Sequence, residues 1–353
     1  MSTRWPVLII GGTGYVAGEM LRLVCGHPQL ELAGSVSQGS AGTPLSSAFP
    51  HLAPAVGKQA FIDLDTAVGK LGEAPHWLVL SAAPHTASAA AIQRIVSAGA
   101  DAGVQVTAVD ASADFRFSDP LAFEAVYGQA HPTPDLLRDF VCAVPEHVTA
   151  APGRHAAQPG CFATSMLLGI VPLLKAGLCE KRIHVSAVTG STGAGRKPRD
   201  TTHHPERQSN LFSYMALKHR HEPEVSALAL AASGVEPELD FVPHSGPFAR
   251  GIHATIFATA NQATDTDTVL DALTDFYRNS AFVQVQSRPP RIKDVAGSNF
   301  AHLNAAVRGE TIVVCSVLDN LIKGAAGGAV QWANRLLELP ETSGLDAAAP
   351  GWI

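Results

Sequence analysis

The sequence predicts an α/β protein of two domains: a doubly wound parallel sheet over the first 155 or so residues, then an α+β half. Three observations predict it. An apolar run, Pro6 to Ile10, feeds the glycine turn Gly11-Gly12-Thr13-Gly14 and then a helical stretch. Short apolar strands and helical stretches go on alternating up to Val109, as a parallel sheet requires. Beyond Cys161 the texture changes to longer strand runs joined by polar loops, which suits a mostly antiparallel sheet.

The elements follow in order. Pro6 to Ile10 reads as a buried strand. Met20, Leu21, Leu23 and Val24 give the next segment a helical apolar face, and Leu30 to Val36 reads as a second strand, which completes a βαβ unit. Trp77 to Leu80 is a strand, Thr86 to Ala98 an alanine-rich helix, and Val104 to Val109 a strand. Pro159-Gly160 cannot continue a helix, whereas Met166 to Leu174 has helical spacing, so a helix is expected to begin at or just after Cys161. Ile183 to Val188, Gly251 to Ala260 and Thr311 to Val317 read as strands, Leu270 to Tyr277 and Ala325 to Leu337 as helices. A long polar loop covers Arg196 to Ser213.

Gly11-x-x-Gly14-x-x-Ala17 lies between a strand and a helix. That context suits a pyrophosphate brought close to backbone N–H groups at a helix N-terminus. An NAD-type site places Asp or Glu near the end of the second strand to bond the ribose 2′-hydroxyl. None occurs from Ala33 to Pro44, where Ser37 and Gln38 stand instead, so NADP is the expected cofactor. Cys161 at a helix N-terminus would meet unpaired N–H groups and the positive end of the helix dipole. Such surroundings lower a thiol pKa and make a nucleophile, and the same N–H groups can hold an oxyanion. His219-Arg220-His221 supplies two imidazoles able to exchange protons with that thiol. Without a Cys or carboxylate cluster at ligand spacing beside it, no metal is expected. Arg196, Lys197, Arg199 and Arg250 are candidate anion binders. A nucleotide site, an activated thiol and a histidine suggest reduction of an acyl group through a thioester.

A length of 353 residues supports two cores. A net charge of −6 speaks against nucleic acid as the partner. Five scattered cysteines without a C-x-x-C pair fit a reducing compartment. The N-terminal apolar run is too short for a signal h-region, and no stretch approaches the ~18 apolar residues of a membrane span. A cytoplasmic, soluble protein is expected.

The residues resemble those of the N-acetyl-γ-glutamyl-phosphate reductase family, collinearly over nearly the whole chain. The shared runs include Gly11 to Tyr15, Pro84-His85, Asp110 to Arg116, Val144-Pro145-Glu146, Pro159-Gly160-Cys161, Gly193-Ala194-Gly195, His219-Arg220-His221 with Glu224, Pro243-His244, Arg250-Gly251, and Asp319 to Gly327. The resemblance implies a Rossmann-like nucleotide domain over 1–157 and 318–353. A catalytic and oligomerisation domain over 158–317 would be of the glyceraldehyde-phosphate and aspartate-semialdehyde dehydrogenase type. It implies NADPH-dependent reduction of N-acetyl-γ-glutamyl phosphate to the semialdehyde in arginine synthesis. Cys161 would be the nucleophile and His219 the acid/base partner, with His221 the alternative. Gly11, Thr13, Gly14, Tyr15, Val16, Ser37, Gln38 and Asn320 would contact NADP, and Arg116, Arg196 and Arg250 the substrate. A homodimer or homotetramer would follow.

Departures from the family are Gln158, where Asn often precedes Pro-Gly-Cys, and Gln38, where an Arg commonly follows the second-strand serine. The run His203-His204-Pro205-Glu206-Arg207, with Tyr127-Gly128 and Pro134 to Leu137, is similar to a sister group. Its members reduce aminoadipyl or glutamyl phosphate attached to a small acidic carrier protein, in lysine or arginine synthesis. The alternative reading is therefore a carrier-linked substrate; the basic residues 196, 197, 199 and 207 suit either an acidic carrier or a solvated loop, the loop being the commoner case.

Overall fold

The structure is a computed structural model and describes residues 4–149 and 153–352. The chain packs as two units. One takes 1–143, 150–158 and 325–346, the other 144–149, 159–324 and 347–353.

The first unit is built on β1 (Trp5–Ile10), α1 (Tyr15–Gly26), β2 (Leu30–Val36), β3 (His76–Ser81), α2 (Ala87–Asp101), β4 (Gln105–Asp110), β5 (Phe140–Cys142) and β6 (His155–Ala157). The six strands form one parallel sheet in the order β2-β1-β3-β4-β6-β5. Continuous apolar runs in β1 and β3 are buried on both faces, as a parallel sheet demands. Ile92 and Ile95 of α2 pack with Leu8, Ile10, Val79 and Ala108 in one cluster. The order of the strands reverses beside β1, so the crevice of a doubly wound sheet opens above the ends of β1 and β3.

The second unit begins with α3 (Cys161–Lys175), followed by β7 (Cys179–Thr189), β8 (Phe212–Ser213), α4 (His221–Ser233), β9 (Glu238–Ser245), β10 (Ile252–Ala260), α5 (Thr266–Tyr277), β11 (Val283–Val285), β12 (Ala301–Arg308) and β13 (Thr311–Leu318). Its seven strands run in the order β11-β12-β13-β10-β7-β9-β8. Pairing is mostly antiparallel, with two parallel pairs, β11–β12 and β7–β9. Residues of α3 from Phe162 to Leu174 are all buried, the signature of a helix that is apolar all round. It lies against β7, β10 and β13. The opposite face of the sheet carries His184, Ser186, Val188, His253, Thr255, Phe257, Val313 and Cys315, none of them fully buried. Phe257 there is 42% exposed.

The chain then returns to the first unit as α6 (Gly327–Leu336), which packs on β3, β4, β6 and α1. Its start falls two residues later than the sequence suggests, because Ile322–Ala326 forms a π-turn. Such a turn commonly marks a functional position. Trp332 is fully buried, and its indole N–H donates to the Ala143 carbonyl.

Candidate functional site

In the first unit, Gly11 and Gly12 carry positive φ angles of 142° and 58°. A Cβ on Gly11 would lie 2.9 Å from the Ala82 carbonyl, and one on Gly12 would lie 2.9 Å from Ser37 Oγ. The loop after β1 is thus pressed against the ends of both β3 and β2, where only glycine fits. Gly14 precedes α1 without any side-chain cap, which leaves the helix N–H groups of Tyr15 and Val16 facing the crevice end. Thr13, Tyr15 and Gln38 are exposed at this rim, and Gln38 opens a short 3₁₀ turn, Gln38–Ser40. These features fit a dinucleotide: a bare helix start for the pyrophosphate, and neutral polar groups for the ribose.

Below the rim a buried polar network holds the loops. Asp110 accepts from Ser88 Oγ (2.7 Å), Ser112 Oγ (2.6 Å) and the Ser112 N–H (3.0 Å). Burial pushes its carboxyl up to about 6, with the Ser112 and Ser88 bonds opposing. Asp114 caps the start of α2 through the N–H groups of Thr86 (2.8 Å) and Ala89 (2.9 Å). Arg116 lies in the same loop, buried, and donates to the Ala111 carbonyl.

In the second unit, Cys161 is the first residue of α3 and is half-buried. No side chain caps that helix start either. Glu224, fully buried in the first turn of α4, accepts the Gly160 N–H at 2.7 Å and so pins the turn that carries the thiol. Its other oxygen lies 4.0 Å from His221 Nε2. His219 and His221 are both buried, 4.7 Å apart between ring centres. The Phe162 ring, adjacent to the thiol, meets them edge-on at 5.7 and 6.2 Å. Tyr214 lies 5.8 Å from His219, and burial followed by the charge of Cys161 pushes its phenol well up. Cys161, His219, His221 and Tyr214 therefore share one site.

Asn320 and Arg250 are drawn into the support of this site. The Asn320 carbonyl accepts the Gly251 N–H (2.7 Å), and its amide donates to Thr192 Oγ1 (3.0 Å). Arg250 spans buried Asp319 with Nε (3.0 Å) and Nη2 (3.3 Å). Asp319 also takes the N–H groups of Gly297, Leu321 and Ile322, which shapes the turn leading to Gly324. Arg196 is exposed in the loop after Gly195. Sequence reasoning missed the backing residues Gly324 and Lys323. A Cβ at Gly324 would stand 2.7 Å from Cys161 Cβ and 3.1 Å from its Cα. Gly324→Ala is therefore expected to lower kcat about 100-fold by displacing the thiol, and to cost about 1–3 kcal/mol of stability by overpacking. Steady-state kinetics with a thermal melt checks this; a fully active variant would contradict the contact.

Burial, helped by Arg220, holds His219 down at about 4. Its Nδ1 accepts the His221 N–H (3.3 Å), which assigns the ring proton to Nε2. His155 in the first unit is likewise held at about 4, chiefly by burial, and accepts the Ala108 N–H at Nδ1. Both rings are depressed below the ordinary histidine value. Between about pH 6.5 and 4 the unfolded chain binds protons that the native chain refuses, so stability is lost as pH falls through this window. The expected slope is about 1.4 kcal/mol per pH unit for each ring. Urea unfolding at about pH 7 and about pH 5 measures it; equal stabilities would contradict the buried neutral rings.

Residues 6–151 match the semialdehyde dehydrogenase NAD binding domain, and residues 161–320 match the semialdehyde dehydrogenase dimerisation domain. N-acetyl-γ-glutamyl-phosphate reductases from Dehalococcoides mccartyi and Rhodospirillum rubrum are each 36% identical over 98% of this chain and 98% of their own. The chain belongs to the N-acetyl-γ-glutamyl-phosphate reductase family. A member from Pseudomonas entomophila is 37% identical over 96% of each chain. Aspartate semialdehyde dehydrogenase II of Vibrio cholerae, solved with ASA, shares the fold at a TM-score of 0.70 and 16% identity, covering 96% of this chain and 99% of that one. The aspartate semialdehyde dehydrogenase of Candida albicans, solved with NADP, superposes at 0.67 with 14% identity over 95% of this chain and 99% of its own. The expected fold class holds: a parallel nucleotide-type domain joined to a semialdehyde-dehydrogenase domain. Among the described residues no three His, Cys, Asp or Glu are grouped to hold a metal ion, and no helix is long and apolar enough to cross a membrane.

Proposed function

We propose that this chain reduces N-acetyl-γ-glutamyl phosphate to N-acetylglutamate semialdehyde, with release of phosphate, as a step of arginine synthesis. The observation that carries the reading is the half-buried Cys161 at an uncapped helix start beside two buried imidazoles, in a chain 36% identical to reductases of that name. The thiolate of Cys161 attacks the acyl carbon. The bond from carbon to the bridging phosphate oxygen breaks, phosphate leaves with the electron pair, and a thioester forms. The dinucleotide, when bound, supplies a hydride. The resulting oxyanion collapses to aldehyde and returns Cys161 as thiolate, so the protein needs no net proton. Phosphate takes one from water.

His219 in its neutral form donates from Nε2 to the acyl oxygen as negative charge develops there, beside the N–H groups of α3. Glu224 holds the thiol-bearing turn through the Gly160 N–H, with His221 Nε2 4.0 Å from its other oxygen. Gly11, Thr13, Gly14, Tyr15 and Val16 would cradle the pyrophosphate, with Ser37 and Gln38 at the ribose. The absence of a carboxylate from Ala33 to Pro44 favours NADP over NAD. Arg116, Arg196 and Arg250 remain candidates toward substrate phosphate, Arg250 by way of its Asp319 pair. The open face of the seven-stranded sheet, with Phe257 exposed at its centre, suits a second copy of this chain. Sedimentation should show at least a dimer; a single-chain species would contradict that.

A substrate panel tests the function. Turnover of free N-acetylglutamyl phosphate with NADPH is expected, at a lower KM than with NADH. A strict requirement for acyl phosphate attached to a carrier protein would replace this reading with the alternative, and a clear preference for NADH would overturn the cofactor assignment.

A further inference from the structure

The buried network at the ends of β3 and β4 has hydrogen atoms that run in one direction. Ser81 ends β3, Asp110 ends β4, and the two are partners across the sheet. Ser81, Ser88 and Asp110 are fully buried, and Ser112 is nearly so. Ser88 Oγ spends its one hydrogen on Asp110 Oδ1, so in its 2.6 Å contact with Ser81 Oγ the Ser81 hydroxyl donates. Ser112 Oγ donates to Asp110 Oδ2 and accepts the Asp114 N–H at 3.2 Å. The Ser81, Ser88 and Ser112 hydrogens thus all run toward Asp110, the order an ionised carboxylate imposes. A proton arriving on either oxygen meets a hydrogen already aimed at it. Relief means turning Ser88 or Ser112 away, which gives up a hydrogen bond in a buried place.

The network holds a strained loop beside the glycine turn. Asp114, fixed by the Ser112 hydroxyl, takes the N–H groups of Thr86 and Ala89. Thr86 has a φ of 68°, a costly angle for a β-branched residue that persists only where its surroundings impose it. The same loop touches the glycine turn: the Ala82 N–H donates to the Ile10 carbonyl at 2.7 Å, and the Ala82 carbonyl is what a Cβ on Gly11 would strike. A dinucleotide on a doubly wound sheet lies over these strand ends.

We propose that ionised Asp110 is the lock that keeps the loops after β3 and β4 in their dinucleotide-binding shape, so that a proton taken up there weakens the hold on the dinucleotide. This rests on the dinucleotide reading of the first unit and adds its positioning residue. Burial, opposed by Ser112 and Ser88, sets the Asp110 carboxyl at about 6, which puts the switch just below neutral pH. The ionisable groups around it are Asp114 and Arg116 of the loop after β4, His85 of the loop after β3, and His155 of β6. Arg116 donates to the Ala111 carbonyl, His85 Nδ1 accepts the Ala113 N–H, and His155 is held at about 4. His76 stands at the other end of β3, Arg94 and Asp101 of α2 are exposed, and Arg335 of α6 lies over Trp332.

Calorimetric titration with NADP tests this, run in two buffers of different ionisation enthalpy on the wild-type chain and on Asp110→Asn. Near about pH 6 half of the Asp110 groups carry a proton that binding should expel. The wild-type chain should therefore release about half a proton more per bound NADP than the variant. The 2′-phosphate of NADP titrates with both chains and cancels. Between about pH 7.5 and about pH 5 the affinity should fall about 10-fold further in the wild-type chain than in Asp110→Asn. Ser88→Ala keeps the carboxylate and removes one donor to its ionised form. It should move the proton release to higher pH, and it serves if the Asn variant fails to fold. Equal proton release by the wild-type chain and Asp110→Asn overturns the proposal, as does a midpoint that Ser88→Ala leaves in place. Failure of the wild-type chain to bind NADP or NAD at any pH overturns the dinucleotide reading too, whereas binding without these differences overturns only the role of Asp110.

Discussion

Cys161→Ser is expected to lower turnover at least about 10⁴-fold while the dinucleotide binds as before. A serine hydroxyl keeps the size and place of the thiol but is barely ionised near neutral pH, so the nucleophile is lost. His219 offers Nε2 as a donor, because its Nδ1 is engaged by the His221 N–H. The glycine turn and the uncapped start of α1 are unchanged by the substitution, so the dinucleotide is expected to bind as before. Stopped-flow kinetics and fluorescence titration with NADPH check the two halves. Near-normal turnover in the serine variant would rule out thioester chemistry.

Lys323→Met is expected to destabilise the protein by about 3–5 kcal/mol. Lys323 is fully buried, its ammonium paired with Glu146 and 5.6 Å from the centre of the Phe282 ring. Removing it strands a carboxylate in the interior close to His147 and Tyr277. That carboxylate already raises the phenol of Tyr277, after burial. The double variant Lys323→Met with Glu146→Gln should recover much of the loss, because the uncompensated charge then disappears. Denaturant unfolding of the two single variants and the double one measures it; strictly additive losses would show that the pair does not act as a unit. Since Lys323 precedes Gly324, which touches Cys161, the single variant should also lose activity before it unfolds.

The sequence announces the parts of this fold whose signals are local. A change of period from strand to glycine turn to helix marks β1 and α1, and Pro159-Gly160 before an apolar run marks the start of α3 within one residue. β9 went unread because Pro243 and half-buried positions break its alternation, and β5, β6, β8 and β11 are too short to show a period. α4 is alanine-rich with little difference between its faces, so its pattern resembles no one-sided helix. The site residues divide in the same way. Cys161 and the two histidines are chemically distinctive wherever they stand. Glu224 and Lys323 look like ordinary surface charges until folding brings them to Gly160, 64 residues away, and to Glu146, 177 residues away.

The central claim is a covalent acyl group on Cys161. The most direct measurement mixes enzyme with N-acetylglutamyl phosphate in the absence of any dinucleotide, follows phosphate release, and weighs the quenched protein by mass spectrometry. The account predicts a burst of one phosphate per chain and an acyl adduct confined to the peptide bearing Cys161, which disappears when NADPH is added. Phosphate release only in the presence of NADPH, with the protein mass unchanged throughout, would contradict it.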